Sequence, residues 1–170
     1  MLSKPERVDV CAHLLKICEH CQHDVLDIKG IICLFDVDSG ILPAWKCTVL
    51  GRIVDTLVYE ICEQSRPVPM GGRITVALHH KGGAWILAVK DEGVRAFARN
   101  APQSASTAVQ SLTVALNGAY HVRPSGGGGV TAVAFPGDDD DTEVFVAPQN
   151  ISGLHILNVA DLTPARHLIH

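Results

Sequence analysis

The densest run of chemically capable side chains is Cys18-Glu19-His20-Cys21-Gln22-His23. Thiolates and imidazoles at such short spacing are ligands that zinc prefers, so the run must be weighed as a metal site. Helical register argues against it. Cys11, Leu14, Cys18, Cys21, Val25 and Ile28 recur at alternating intervals of three and four, the apolar stripe of a packed helix. The thiols then point where leucine would point, and His13, His20 and His23 fall towards the other side. No second Cys/His pair completes a four-ligand set, so no metal is expected. Asp138 to Asp141 place four carboxylates in a row. Sequence neighbours rarely converge on one ion, and a solvated turn is the simpler reading.

The elements that position these groups follow from pattern. A first helix is predicted from about Lys4 to Asp27, broken by Gly30, and Ile31 to Phe35 reads as a short buried strand. Asp36 to Gly40 reads as a turn. A second helix starts near Pro43-Ala44, carries the stripe Leu50, Ile53, Leu57 and Ile61, and ends at Arg66-Pro67. Arg73 to His79 alternates with Ile74, Val76 and Leu78 on one face; Lys81-Gly82-Gly83 turns the chain, and Trp85 to Val89 returns as a hairpin. Asp91-Glu92-Gly93 closes that strand with turn-forming residues. Val94 to Ser106 is irregular. A helix over Thr107 to Leu116 stops at Asn117-Gly118, and strands are expected at Ala119 to Arg123 and Val130 to Phe135. Beyond Pro136 the composition shifts, with a further strand at Thr142 to Val146 and a closing helix at Val159 to Ile169. The order predicts an α+β two-layer sandwich: one mixed sheet with helices on one face.

Composition bounds the function. The chain has 170 residues, 47% of them apolar and 19% charged, with a net charge of −4. That fits one folded domain and gives no electrostatic footprint for nucleic acid or an anionic membrane. No apolar run reaches the length of a spanning helix. Met1 to Val8 is charged and lacks an apolar core, so no secretory signal is read, and a cytoplasmic protein with six reduced cysteines is the expectation.

Three stretches, in this order, resemble the ATP-binding domain of bacterial sensor histidine kinases, especially the HWE type within the GHKL superfamily. Leu50-Gly51-Arg52-Ile53-Val54-Asp55-Thr56-Leu57-Val58-Tyr59-Glu60 is similar to the N-box helix. Gly71 to Val76 and Trp85 to Gly93 resemble the central hairpin with its G1 box. Leu112 to Gly118, the glycine run and Val130 to Pro136 are similar to the last helix and the last strand, ending in phenylalanine-proline. The resemblance covers about Val8 to Pro136. It implies the fold of histidine-kinase and heat-shock-90 ATPases, with a kinase-like ATP-binding domain over residues 1–136 and a C-terminal extension over 137–170 packed on the same domain.

The resemblance also assigns a site. Asp91 matches the carboxylate that accepts from the adenine amino group, and Gly93 the glycine that lets the backbone turn beside the base. ATP or ADP is the implied ligand. The phosphate end departs from the family's pattern. Glu60 stands where the magnesium-orienting asparagine is expected, and Thr56 where a carboxylate is expected. A carboxylate at Glu60 offers oxygen to magnesium but repels a triphosphate by on the order of several kcal/mol if unscreened. Arg95 replaces the second G1 glycine, and Ser104-Ala105-Ser106-Thr107 stands in place of the G2 glycines. Thr131 lies two residues beyond Gly129, out of register with the family's glycine-threonine. Magnesium is therefore doubtful and catalysis impaired, as in a pseudokinase. The phosphoacceptor hairpin is missing, leaving His13, His20 and His23 as exposed candidates for phosphorylation.

Three functions follow from the resemblance. One is a non-catalytic adaptor or regulator in two-component signalling, as a monomer or a homodimer, contacting a response regulator, a histidine kinase or a phosphotransfer protein. The second is a nucleotide-binding domain working in trans. The third is a histidine phosphotransferase on an eroded kinase scaffold.

Overall fold

A computed structural model describes residues 3–65, 71–95, 105–125, 128–137 and 167–168. The chain opens with β1 (Arg7–Asp9), antiparallel to β3 (Ile41–Pro43) in a small two-stranded sheet. This pairing and the Asp9 cap explain why the first helix begins later than Lys4. The Asp9 carboxylate accepts from the Ala12 N–H at 3.1 Å, a side-chain N-cap that starts α1 (Val10–Cys21).

The helix then widens into one π-type turn, Gln22–Leu26, before the short α2 (Asp27–Lys29) and a left-handed stop at Gly30, φ +66°. The wide turn corrects the expected stripe. Leu14, Cys18 and Cys21 are buried as the spacing predicts, but beyond them Gln22 and Leu26 face inward, and Ile28 is 82% exposed. A π turn adds residues to one turn of the backbone, so every later side chain rotates off the 3.6-residue register.

β2 (Ile32–Val37) runs two residues further than the strand expected there, so Asp36 lies in the sheet and not in a turn. α3 (Ala44–Glu63) buries Leu50, Ile53, Leu57 and Ile61, the stripe read from the sequence. β4 (Arg73–Lys81) and β5 (Ala84–Glu92) form the predicted hairpin. α4 (Thr107–Ala115) ends at Asn117, φ +53°, the left-handed position that the Asn-Gly pair favours. β6 (Ala119–Ser125) and β7 (Gly128–Pro136) complete the main sheet with β8 (His167–Leu168).

The sheet order is β6-β7-β5-β4-β2-β8. β2 is parallel to β4 and every other pairing is antiparallel, so the sheet is mixed as expected. Alternation sends Phe35, Ile74, Val76, Leu87, Val89, Val133 and Phe135 into one core with the inner faces of α1, α3 and α4. The opposite face carries small apolar residues, Ala88, Val130 and Ala132 beside Ile86. The α+β sandwich with helices on one face is the architecture read from the sequence. β8 overturns the helix expected through Ile169 at its two described residues, 167 and 168. The expected strand at Thr142 to Val146 and the Asp138 to Asp141 run lie outside the described residues. No described helix is long and apolar enough to cross a membrane.

Candidate functional site

Asp91 sits near the end of β5 on the helix-facing side, opposite Ile74 of β4 and Gly129 of β7. Its exposure is 0%. A carboxylate taken fully out of water needs donors, because an unpaired buried charge is costly. One donor is the backbone N–H of Gly129, 3.1 Å from Oδ1. The second is Arg95, whose Nη2 and Nε reach the same oxygen at 2.6 and 3.2 Å. Oδ2 is buried with no hydrogen-bond partner among the described residues.

Two glycines make this geometry. Gly93, φ +69°, turns the chain after β5 so that Arg95 can fold back over the carboxylate. At Gly128 an added Cβ would run into the Asp91 carbonyl and come within 3.0 Å of Oδ2, so β7 can lie this close only without a side chain.

The Arg95 Nη1 donates to Gln64 Oε1 at 3.2 Å, and the Arg95 side chain keeps 18% exposure. Gln64 caps α3 and lies one turn beyond Glu60, which itself lies one turn beyond Thr56. The structure thus brings Asp91, Gly93 and Arg95 together, and sets the half-buried Thr56 and Glu60 on the α3 row that Arg95 meets at Gln64. Gln64 and Gly128 were not singled out by sequence. The i, i+4 continuation from Glu60 and the glycine run carried signals for them.

At the start of α4, the Ser106 hydroxyl accepts from the Val109 N–H at 3.4 Å, and Gln110 Nε2 donates to the Ala105 carbonyl at 2.8 Å. The first turn is closed by its own side chains rather than left as open glycine backbone for an anion. Residues 96–104, within the stretch read as irregular, lie outside the described residues.

The thiols are core residues. Cys18, Cys21, Cys33, Cys47 and Cys62 are buried and Cys11 partly so, and all six are free. Burial, with the nearby Asp55 carboxylate, pushes Cys21 up to about 12. No described group of His, Cys, Asp or Glu is arranged to hold a metal ion. His20 and His23 are exposed as expected, at 66% and 61%. His13 is not: it packs over Gly51 of α3 with Nε2 buried, because a glycine there leaves room for the ring.

No protein-family model and no curated protein matches the sequence. Solved structures do match. The histidine kinase domain of the blue-light activated kinase EL346 from Erythrobacter litoralis superposes with a TM-score of 0.64 at 16% identity, over 76% of this chain and 62% of that one. Acinetobacter baumannii histidine kinase AdeS gives 0.61 at 16% identity, over 80% and 70% of the two chains. Full-length ShkA in complex with AMPPNP gives 0.60 at 17% identity, over 77% of this chain and 30% of that one. The chain has the fold of histidine-kinase ATPase domains. At these identities the likeness establishes the fold, and the chain spans 62% of the first neighbour's length.

A nucleotide can be tested against this fold residue by residue. The base end offers one acceptor, since Asp91 Oδ2 is buried and lacks a donor among the described residues. The phosphate end does not fit, with Glu60 in place of a neutral amide and α4 capped internally.

Proposed function

We propose that this chain is a histidine-kinase-type module of bacterial two-component signalling that acts in the cytoplasm as a non-catalytic adaptor or regulator. Its partner would be a response regulator, a histidine kinase or a phosphotransfer protein. One observation carries the reading. The carboxylate that the family resemblance assigns to adenine already has an internal cationic partner in Arg95, at 2.6 Å. With Oδ1 held by Arg95 and the Gly129 N–H, the charge of this carboxylate is offset without a nucleotide. The loss of a neutral amide at Glu60 and of a carboxylate at Thr56 supports the absence of phosphoryl transfer from ATP. The extension over 137–170 belongs to the same domain in this reading, supported by the pairing of His167–Leu168 with β2.

A second reading has its own support. The unpartnered Oδ2 of Asp91 is a place for the amino group of ATP or ADP, which would then be held by base more than by phosphate. Thermal melting of the full chain with ADP, in magnesium and in chelator, separates the two. An adaptor shows no ADP-dependent rise in Tm. A rise that ignores magnesium and vanishes in Asp91→Asn overturns the adaptor reading in favour of nucleotide binding.

A further inference from the structure

We propose that the face of the main sheet turned away from the helices is the docking surface of the chain's own residues 138–166, which cover it as a third layer. The proposal rests on the reading that the C-terminal extension belongs to this domain, and it is independent of the adaptor role. It starts from burial that no described element explains. Ala77, Ala88 and Ala132 stand side by side across β4, β5 and β7, and Ala134 follows along β7. Alternation turns all four away from the helices, because Val76, Leu87, Val89 and Val133 beside them belong to the helix-side core. Their exposures are 1%, 3%, 3% and 1%. A methyl flanked by methyls has no neighbour tall enough to shade it from water, so a layer above must do so.

Lys90 gives the same answer. It projects from the same face with its ammonium on Glu92 at 2.6 Å, and its side chain is only 7% exposed. A lysine reaches water unless something lies over it. The helices are not that cover, since the buried apolar residues of α1, α3 and α4 all pack on the opposite side.

Topology names the occupant. β2 and β7 point the same way, and β8 runs antiparallel to β2, so β7 leaves the sheet and β8 enters it at one end. Four strand spacings separate them, about 19 Å. About six extended residues span that distance. Residues 138–166 are several times more chain than a passage along the rim takes. The surplus holds Val144-Phe145-Val146 and Leu154-His155-Ile156-Leu157, apolar runs that gain by leaving water. Only this face is free to take them, because α1, α3 and α4 fill the other. Residues 96–104 join Arg95, held at α3 by Gln64, to α4, and so belong to the helix side. A face covered from within the chain is closed to a signalling partner, which leaves the helix layer as the broad surface for docking.

Native alkylation of the full chain, mapped by mass spectrometry, tests this. The thiol of Ala132→Cys should react about a hundredfold more slowly than that of Ile28→Cys, as groups reached only through local opening do. Ile28, at 82% exposure, sets the open reference. Adding Ile156→Asp and Leu157→Asp should bring the two rates within about tenfold, because carboxylates resist burial in the new layer. Equal rates in the first comparison overturn the proposal. Protection that ignores the two aspartates overturns it as well, and protection that falls on dilution gives the face to a second copy instead. Where the aspartate variant fails to fold, p-benzoylphenylalanine at Ile86, half-buried on the same face, decides the matter. Its photo-adduct should map to residues 138–166 of the same chain; adducts only elsewhere refute the cover. Slow amide exchange at His167 and Leu168 together with fast alkylation of Ala132→Cys would keep the extension in the domain and sink only its place on this face. An ADP-dependent rise in Tm would overturn the adaptor role and leave this result intact.

Discussion

Arg95 closes on Asp91 through two hydrogen bonds to one oxygen, Oδ1, and leaves Oδ2 of the same fully buried carboxylate without a described partner. The asymmetry follows from where each donor comes from. Gly129 and Arg95 both approach Oδ1, one from β7 and one from the turn after Gly93. Arg95→Ala should therefore have opposite effects on stability and on ligand access. Truncating one partner of a buried pair strands the other, at a cost of about 3–5 kcal/mol. Calorimetry should show a lower Tm for the variant without ligand. Its ADP-dependent Tm shift should exceed that of the unmutated chain; an equal shift would place Arg95 away from the base position.

The close approach of β7 to β5 gives a second prediction. Gly128→Ala forces a Cβ against the Asp91 carbonyl, which is backbone and cannot swing aside. Overpacking of this kind costs typically about 1–3 kcal/mol. A lower urea midpoint for Gly128→Ala with an unchanged m-value would report it, and an unchanged midpoint would show that the strands separate there at little cost.

These two sites mark how far the sequence could be read. Asp91 and Gly93 were legible because a carboxylate and a glycine at the end of an alternating strand form a local pattern. Arg95 was legible as a substitution, but its pairing was not. That contact depends on a turn angle at Gly93 and on the distance from Gln64, which lies in a different element. The sheet and α3 were legible because strict periodicity survives in them. β1 and β3 were hidden, since three-residue strands carry too little alternation to outweigh the helical pattern around them. His13 was misplaced because its environment is set by Gly51 on another helix.

Thiol chemistry offers a third test. Burial raises the Cys11, Cys21, Cys47 and Cys62 thiols above their ordinary value, and Cys18 is raised first by its hydrogen bond with Cys33 and then by burial. A raised thiol stabilises the fold fully below the unfolded value, about 8.5, and that contribution is lost as pH rises towards the folded value. An aromatic disulfide reagent at neutral pH should label Cys11 first, with the other thiols reacting only after denaturant is added. Rapid native reaction at Cys21 would refute the packing described for α1 against α3.

Glu92 should dominate a different pH range. The hydrogen bond from Lys90, at 2.6 Å, and the nearby Arg73 hold its carboxyl below the usual carboxylate range. Its contribution is present above the unfolded value and is lost as pH falls through the lowered one. Urea midpoints measured from pH 7 down to about 3 should fall less steeply in Lys90→Met than in the unmutated chain. An identical acid limb would mean that Arg73 alone sets the Glu92 carboxyl.

The π turn makes the sharpest structural prediction, because an uninterrupted α-helix and the observed helix assign opposite roles to two nearby residues. A continuous 3.6-residue register puts Ile28 on the packed stripe and leaves Leu26 off it. The wide turn over Gln22–Leu26 buries Leu26 completely and leaves Ile28 82% exposed. Leu26→Ala should cost about 2–5 kcal/mol, the range for emptying a core position. Ile28→Glu should stay within about 0.5 kcal/mol, as a surface change does. If the two costs were reversed in urea denaturation, the helix would be regular. Gln22 would then leave the protein interior, and its hydrogen bonds with the Cys33 N–H, the Ile31 carbonyl and the Asp27 carboxylate would go with it.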